Sequence, residues 1–187
     1  MSKETSYFKD HKRRLAKMSI STSAFRRQGK QGLIRFTQNY INENIDLHAF
    51  GKALRSGKYH NYLDKQTLLL VQAAKKYGCR WGTARKGLNI FFRDVLYNSY
   101  FIKELKLNLN HGWHLEIPLD SKTMSQIRRL HKSENLKSRG FATPQTTSII
   151  ALVPENSLKY QVAATAIAKA KYQKHTRVDL DMEFWTT

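Results

Sequence analysis

Ala84-Arg85-Lys86-Gly87-Leu88-Asn89-Ile90-Phe91-Phe92-Arg93-Asp94 is the stretch that sets the fold class. It places one lysine at the head of a strongly apolar run. The apolar positions Leu88, Phe91, Phe92, Val95, Ile102 and Leu105 recur at helical spacing, and Leu96 and Tyr100 widen that face. The pattern predicts the central helix of an all-α domain from Lys86 to Leu105. About 34 residues beyond the lysine, Leu115-Glu116-Ile117-Pro118-Leu119-Asp120-Ser121-Lys122-Thr123 places one aspartate at the start of a helix predicted over 121–132. An amine and a carboxylate at two neighbouring helix ends, in a very basic protein, suit chemistry on a sugar–base bond.

The remaining segments also read mostly as helix. Residues 31–44 carry Leu33, Phe36 and Tyr40 on one side. Asp46 caps a short helix with Leu47, Phe50, Ala53 and Leu54, ended by Gly57. Asp64 is expected to cap the next, with Leu68, Leu69, Val71 and Ala73 buried before Gly78. A loop over 106–117 contains the breakers Asn108, Asn110 and Gly112. Ile149-Ile150-Ala151-Leu152-Val153 fits a strand or a helix, and periodicity does not separate the two. A last helix begins at Asn156 or Ser157 and repeats Leu158, Val162, Ala166 and Ala170 at every fourth position. Residues 1–30 read as a basic, irregular N-terminal arm, either solvated or in contact with phosphates. Residues 31–187 read as a single compact helical domain, without repeats or a low-complexity linker.

Composition restricts the partners. The chain has 187 residues, 41% of them hydrophobic, with 33 Lys and Arg against 14 Asp and Glu and a net charge of +19. That excess repels itself in the compact state, and a polyanion relieves it; nucleic acid fits better than a membrane surface. No run of 18 apolar residues occurs, and Met1-Ser2-Lys3-Glu4-Thr5 lacks the apolar segment of a secretory signal. Cys79 is the single cysteine, so no internal disulfide forms and a cytoplasmic setting is expected. His111 and His114 lie close together without partners of a zinc-site pattern, and no metal or cofactor is expected. Arg93 with Asp94 reads as a structural ion pair, and Asp179 and Asp181 as carboxylates partnered by Arg177.

Lys86-Gly87-Leu88-Asn89-Ile90-Phe91-Phe92-Arg93 followed by Ile117-Pro118-Leu119-Asp120-Ser121 resembles the helix-hairpin-helix DNA glycosylase superfamily. There a hairpin near a helix start precedes a segment of the type Pro-Val-Asp-Thr-His-Val with a catalytic aspartate. The resemblance spans roughly residues 60–180, and Lys122 stands where the family has a histidine. It implies a compact helical domain with a helix-hairpin-helix-like element, Asp120 as the catalytic carboxylate, and Lys86 as the lysine of members that also cleave the strand. It further implies excision of a damaged or modified base, such as a phage-modified one, in DNA repair or antiviral defence.

The residue chemistry runs parallel to that resemblance. Cleaving a glycosidic bond builds positive charge on the sugar, which a carboxylate stabilises. A lysine attacks only when neutral, and Arg85 is expected to help lower the pKa of Lys86. The base must be flipped out of the duplex into a pocket. Trp81 is the preferred stacking residue, with Tyr97, Tyr100 and Trp113 as base-pocket candidates. Arg80, Arg85, Lys122, Arg128, Arg129 and the backbone at Gly82 are expected to contact phosphates. The chain is expected to act as a monomer. The competing reading is a non-catalytic DNA- or RNA-binding protein that uses the same hairpin-like element for phosphates.

Overall fold

Why the chain winds around one helix follows from burial along 81–96. In a computed structural model, which describes residues 5–171 and 176–186, this segment is helix α6 (Trp81–Leu96). Leu88, Phe91, Phe92, Val95 and Leu96 are fully buried. Nine other helices occur among the described residues: α1 (Ser6–Ser19), α2 (Thr22–Phe25), α3 (Leu33–Asn44), α4 (Leu47–Arg55), α5 (Tyr59–Ala73), α7 (Ser99–Glu104), α8 (Ser121–Ser133), α9 (Pro154–Lys171) and α10 (Leu180–Thr186). Of these, α1, α2, α5 and α7 pack on α6. Short 3-10 segments occupy Lys75–Tyr77, Leu109–His114 and Ile149–Ala151, and no strand occurs among the described residues. The domain is all-α.

The apolar residues form two cores. The larger joins α1 to α7 around the stacked rings of Phe50 and Phe92, whose centroids are 4.5 Å apart. The smaller joins Ile117, Leu119, α8, Leu152, α9 and α10, with Tyr160 and Ile167 fully buried. Buried alanines at 163, 164, 166 and 168 on α9 leave room for α8 to approach closely.

Several expectations change. Residues 6–19 are a helix, not an irregular arm: Phe8, Leu15, Ala16 and Ile20 enter the large core, where α1 packs on α3 and α6. Residues 1–4 of the expected arm lie outside the described residues. The predicted 86–105 helix starts five residues earlier and breaks at Asn98, whose side chain accepts from the Tyr100 and Phe101 amides and so caps α7 instead.

Asp64 is not a cap. α5 begins at Tyr59, and the inward face of α5 is Tyr59, Leu63, Gln66, Thr67 and Leu70. Leu68 and Leu69 are exposed and Val71 is half-buried, because consecutive residues do not share one helical face. On α9, Leu158 and Val162 are exposed, and the inner face runs through Tyr160, Ala163, Ala164 and Ile167.

α5 and α6 are joined by the 75–77 turn and Gly78, held in the left-handed region at φ 71°. Gly82 lies within the first turn of α6, not in the turn that joins the two helices.

Candidate functional site

Helical geometry carries Lys86, Ile90, Arg93 and Asp94 on one face of α6, at intervals of four, three and one. That face floors an open cleft of about 350 Å3, whose walls include Met18, Ser19, Asp120, Asp181 and Trp185. α1 and α2 supply one wall, and the start of α8 together with α10 supplies the other.

Lys86 is only 6% exposed. Its Nζ donates to the Ala24 carbonyl at 2.8 Å and lies 4.0 Å from Asp120 Oδ2. Asp120 caps α8, its Oδ1 accepting from the Thr123 amide at 2.8 Å. One oxygen thus fixes the helix end while the other faces the amine. Gly87 lets α2 pack closely on α6, since a Cβ there would lie 2.6 Å from Cζ of Phe25, the neighbour of the Ala24 that accepts from Lys86.

Three carboxylates surround this floor in a strongly basic chain. Arg93 bridges two of them: Nε and Nη2 donate to Asp94 Oδ1 at 3.0 and 2.8 Å, and Nη1 donates to Asp181. Ser19 Oγ donates to Asp94 Oδ2 at 2.6 Å. Burial pushes the Lys86 amine below the ordinary lysine range, against the opposing pull of Asp120 and Asp181. Burial also raises Asp181 to about 6; nearby Asp120 adds to this, and Arg93, the Thr123 hydroxyl and Lys86 oppose it. A buried amine with a depressed pKa beside an ionisable carboxylate can act as a nucleophile with an electrostatic partner.

Arg85 serves a different interior and is not a phosphate contact. It is 6% exposed, grips Glu116 through two hydrogen bonds of 2.8 and 2.7 Å, and donates to Asp64 at 2.6 Å. Asn89 donates to Glu116 at 3.1 Å, and His60 lies 3.5 Å away. Burial alone would raise Glu116; the bonds from His60, Arg85 and Asn89 instead hold it well below the usual carboxylate range. The depressed Lys86 pKa therefore owes to burial and not to Arg85.

The other expected contacts scatter. Arg80 is exposed at the head of α6. Gly82 is buried, and a Cβ there would sit 2.0 Å from the Ile149 carbonyl oxygen, so its backbone faces protein. Trp81 is half-buried against the smaller core, 5.3 Å from the Arg85 guanidinium. Lys122 is half-buried with its Nζ 5.1 Å from the Trp185 ring. Arg128 bonds to Thr146, and Arg129 to Gln126 at 2.9 Å.

Tyr97, Tyr100 and Trp113 do not line the cleft. Tyr97 donates to Asp179, Tyr100 packs among Tyr7, His11 and Phe101, and Trp113 lies 5.9 Å from Lys169 Nζ. Trp185 is the aromatic that does line it. Arg177 bonds to the Leu115 and His114 carbonyls at 2.5 and 3.1 Å, while Asp181 takes Arg93 as its partner. Arg93 and Asp94 were visible as a pair in sequence, and their helical spacing from Lys86 was the signal that they belong to its face. Ser19 and Trp185 carry no such signal.

Fold and site together define an all-α protein with a buried amine facing a half-buried carboxylate in an open cleft. No protein-family model, curated protein or solved structure matches the chain. Among the described residues, no helix is long and apolar enough to cross a membrane, and no group of three or more His, Cys, Asp or Glu is placed to hold a metal ion.

Proposed function

We propose that the protein excises a damaged or modified base from DNA, with Lys86 as nucleophile and Asp120 as the carboxylate that stabilises the sugar. The single observation that carries this reading is the 4.0 Å approach of Lys86 Nζ to Asp120 Oδ2 in the cleft. Burial favours the neutral amine that attack requires, and the cleft has the size of a small-ligand pocket. Asp120, 18% exposed, faces the same opening.

With a flipped nucleotide in the cleft, neutral Lys86 forms a bond to the sugar C1′ as the bond from C1′ to the base breaks. The base leaves with that electron pair and takes up a proton, while Asp120 balances the positive charge that develops on the sugar. Loss of the amine proton and opening of the ring leave a Schiff base, from which strand scission can follow. Trp185 offers an exposed ring on which the extruded base can stack.

The test is abasic-site formation, read with an aldehyde-reactive probe, on plain, damaged and phage-modified DNAs. Abasic sites made by the wild type on one substrate, and lost in Asp120→Asn with DNA binding retained, support the reading. No sites on any DNA, with salt-dependent binding by both proteins, refute it and leave a non-catalytic binding protein.

A further inference from the structure

Acidic residues are absent from two long stretches of the chain, 11–42 and 65–93. The fold packs parts of these two stretches against each other. The Lys30 amide donates to the Tyr77 carbonyl at 2.8 Å, and the Phe36 and Tyr77 rings lie 4.9 Å apart. Gly29 permits the contact: a Cβ there would stand 2.4 Å from Leu33 Cδ2 and 2.9 Å from the Tyr77 carbonyl oxygen. Arg27 sits in the left-handed region at φ 58°. The loop is therefore held in a defined shape by glycine and backbone contacts.

The result is a shelf of charge. Arg26, Arg27 and Lys30 from the loop, and Lys75, Lys76 and Arg80 from the facing turn, are all exposed. The shelf abuts the cleft, because Ala24, which lines the cleft and receives Lys86, is two residues from Arg26, a chain reach of about 7 Å. The cleft mixes Asp94, Asp120 and Asp181 with Lys86 and Arg93, whereas the shelf carries cations with no carboxylate of its own.

We infer that the Arg26–Lys30 loop, clamped on the 75–80 turn, is a shelf for the phosphodiester backbone of nucleic acid entering the cleft. The loop lies outside the region of the sequence resemblance, and its role rests on the nucleic-acid partner proposed above but not on the chemistry. A polyanion with phosphates at regular spacing satisfies several fixed cations at once, and each contact made releases counterions.

The test is the salt dependence of binding to a fluorescein-labelled 20-base-pair duplex DNA. Variants are Arg26→Gln with Arg27→Asn and Lys30→Gln, in which Asn tolerates the left-handed backbone, and a charge-matched control, Lys132→Gln with Lys137→Gln and Arg139→Gln. The shelf variant is expected to lower the slope of log affinity against log salt by about 2 to 3, and the control by less than about 1. Circular dichroism melts check that both variants are folded. Equal loss in both variants, loss only in the control, or no duplex binding by the wild type overturns the inference. Abasic-site formation is scored on the same samples. Its absence together with slope loss in the shelf variant sinks base excision and leaves the shelf standing.

Discussion

Arg85 and Lys86 are neighbours in the chain but serve different interiors: Arg85 closes on Glu116, and Lys86 on Ala24 and Asp120. Successive side chains on a helix point about 100° apart, so one step along α6 separates a structural ion pair from the candidate reactive amine. Changes at the two positions should therefore give different phenotypes.

At Lys86 the phenotype should be chemical. Borohydride is expected to trap a covalent protein–DNA adduct with wild type and none with Lys86→Gln. Trapping should also become efficient at a lower pH than the ordinary lysine value of 10.5 would allow, because burial depresses this amine. Gel-shift of labelled DNA after borohydride across a pH series reads both, and an adduct that persists in the variant rules out Lys86 as the nucleophile.

Glu116 should show a stability phenotype. Glu116→Ala leaves Arg85 buried without its bidentate partner, and a loss of about 3–5 kcal/mol is expected in urea unfolding. The pH response has a defined sign. The folded pKa is held below the reference 4.5, so this contribution is complete above that value and is lost as pH falls beneath it. Wild type should lose stability more steeply in acid than Glu116→Gln.

Asp181 should behave oppositely. Its folded pKa of about 6 exceeds the reference 3.8, so the folded state binds the extra proton between those values. Stability contributed by this group falls as pH rises from about 4 through 6. Asp181→Asn should flatten the stability profile in that window, as measured by urea midpoints at half-unit steps. An unchanged profile would mean that Arg93 keeps the group ionised.

Asp120 can be separated from its cap. Asn caps a helix about as well as Asp, whereas Ala does not and costs about 1 kcal/mol. Asp120→Asn is expected to melt near wild type with base excision abolished, and Asp120→Ala to lose both. Thermal melts paired with the abasic-site assay distinguish these outcomes.

The sequence carried the helical class and the cap at Asp120, because apolar periodicity and a capping aspartate are local signals, whereas the approach of Lys86 to Asp120 is set by tertiary packing. The break at Asn98 was less legible: helical spacing continues across it, and only the side-chain bonds to the next amides end the helix. The exposed Leu68 and Leu69 show the same limit, since a run of apolar residues does not say which of them faces the core. Trp185 and Ser19 reach the cleft through tertiary packing of the two chain ends. Charge counting also misplaced Arg85, because a buried arginine and a phosphate-binding arginine look alike until the Glu116 carboxylate is seen beside it.

The two apolar cores have a mechanical consequence. Lys86 rides on the helix at the centre of the larger core, and Asp120 sits at the head of a helix rooted in the smaller one. Their separation is therefore a docking coordinate between two packed halves. The tie from Arg93 on α6 to Asp181 on α10 sets its zero point. A substitution that loosens such a tie would detune the amine–carboxylate pair while leaving both residues chemically intact.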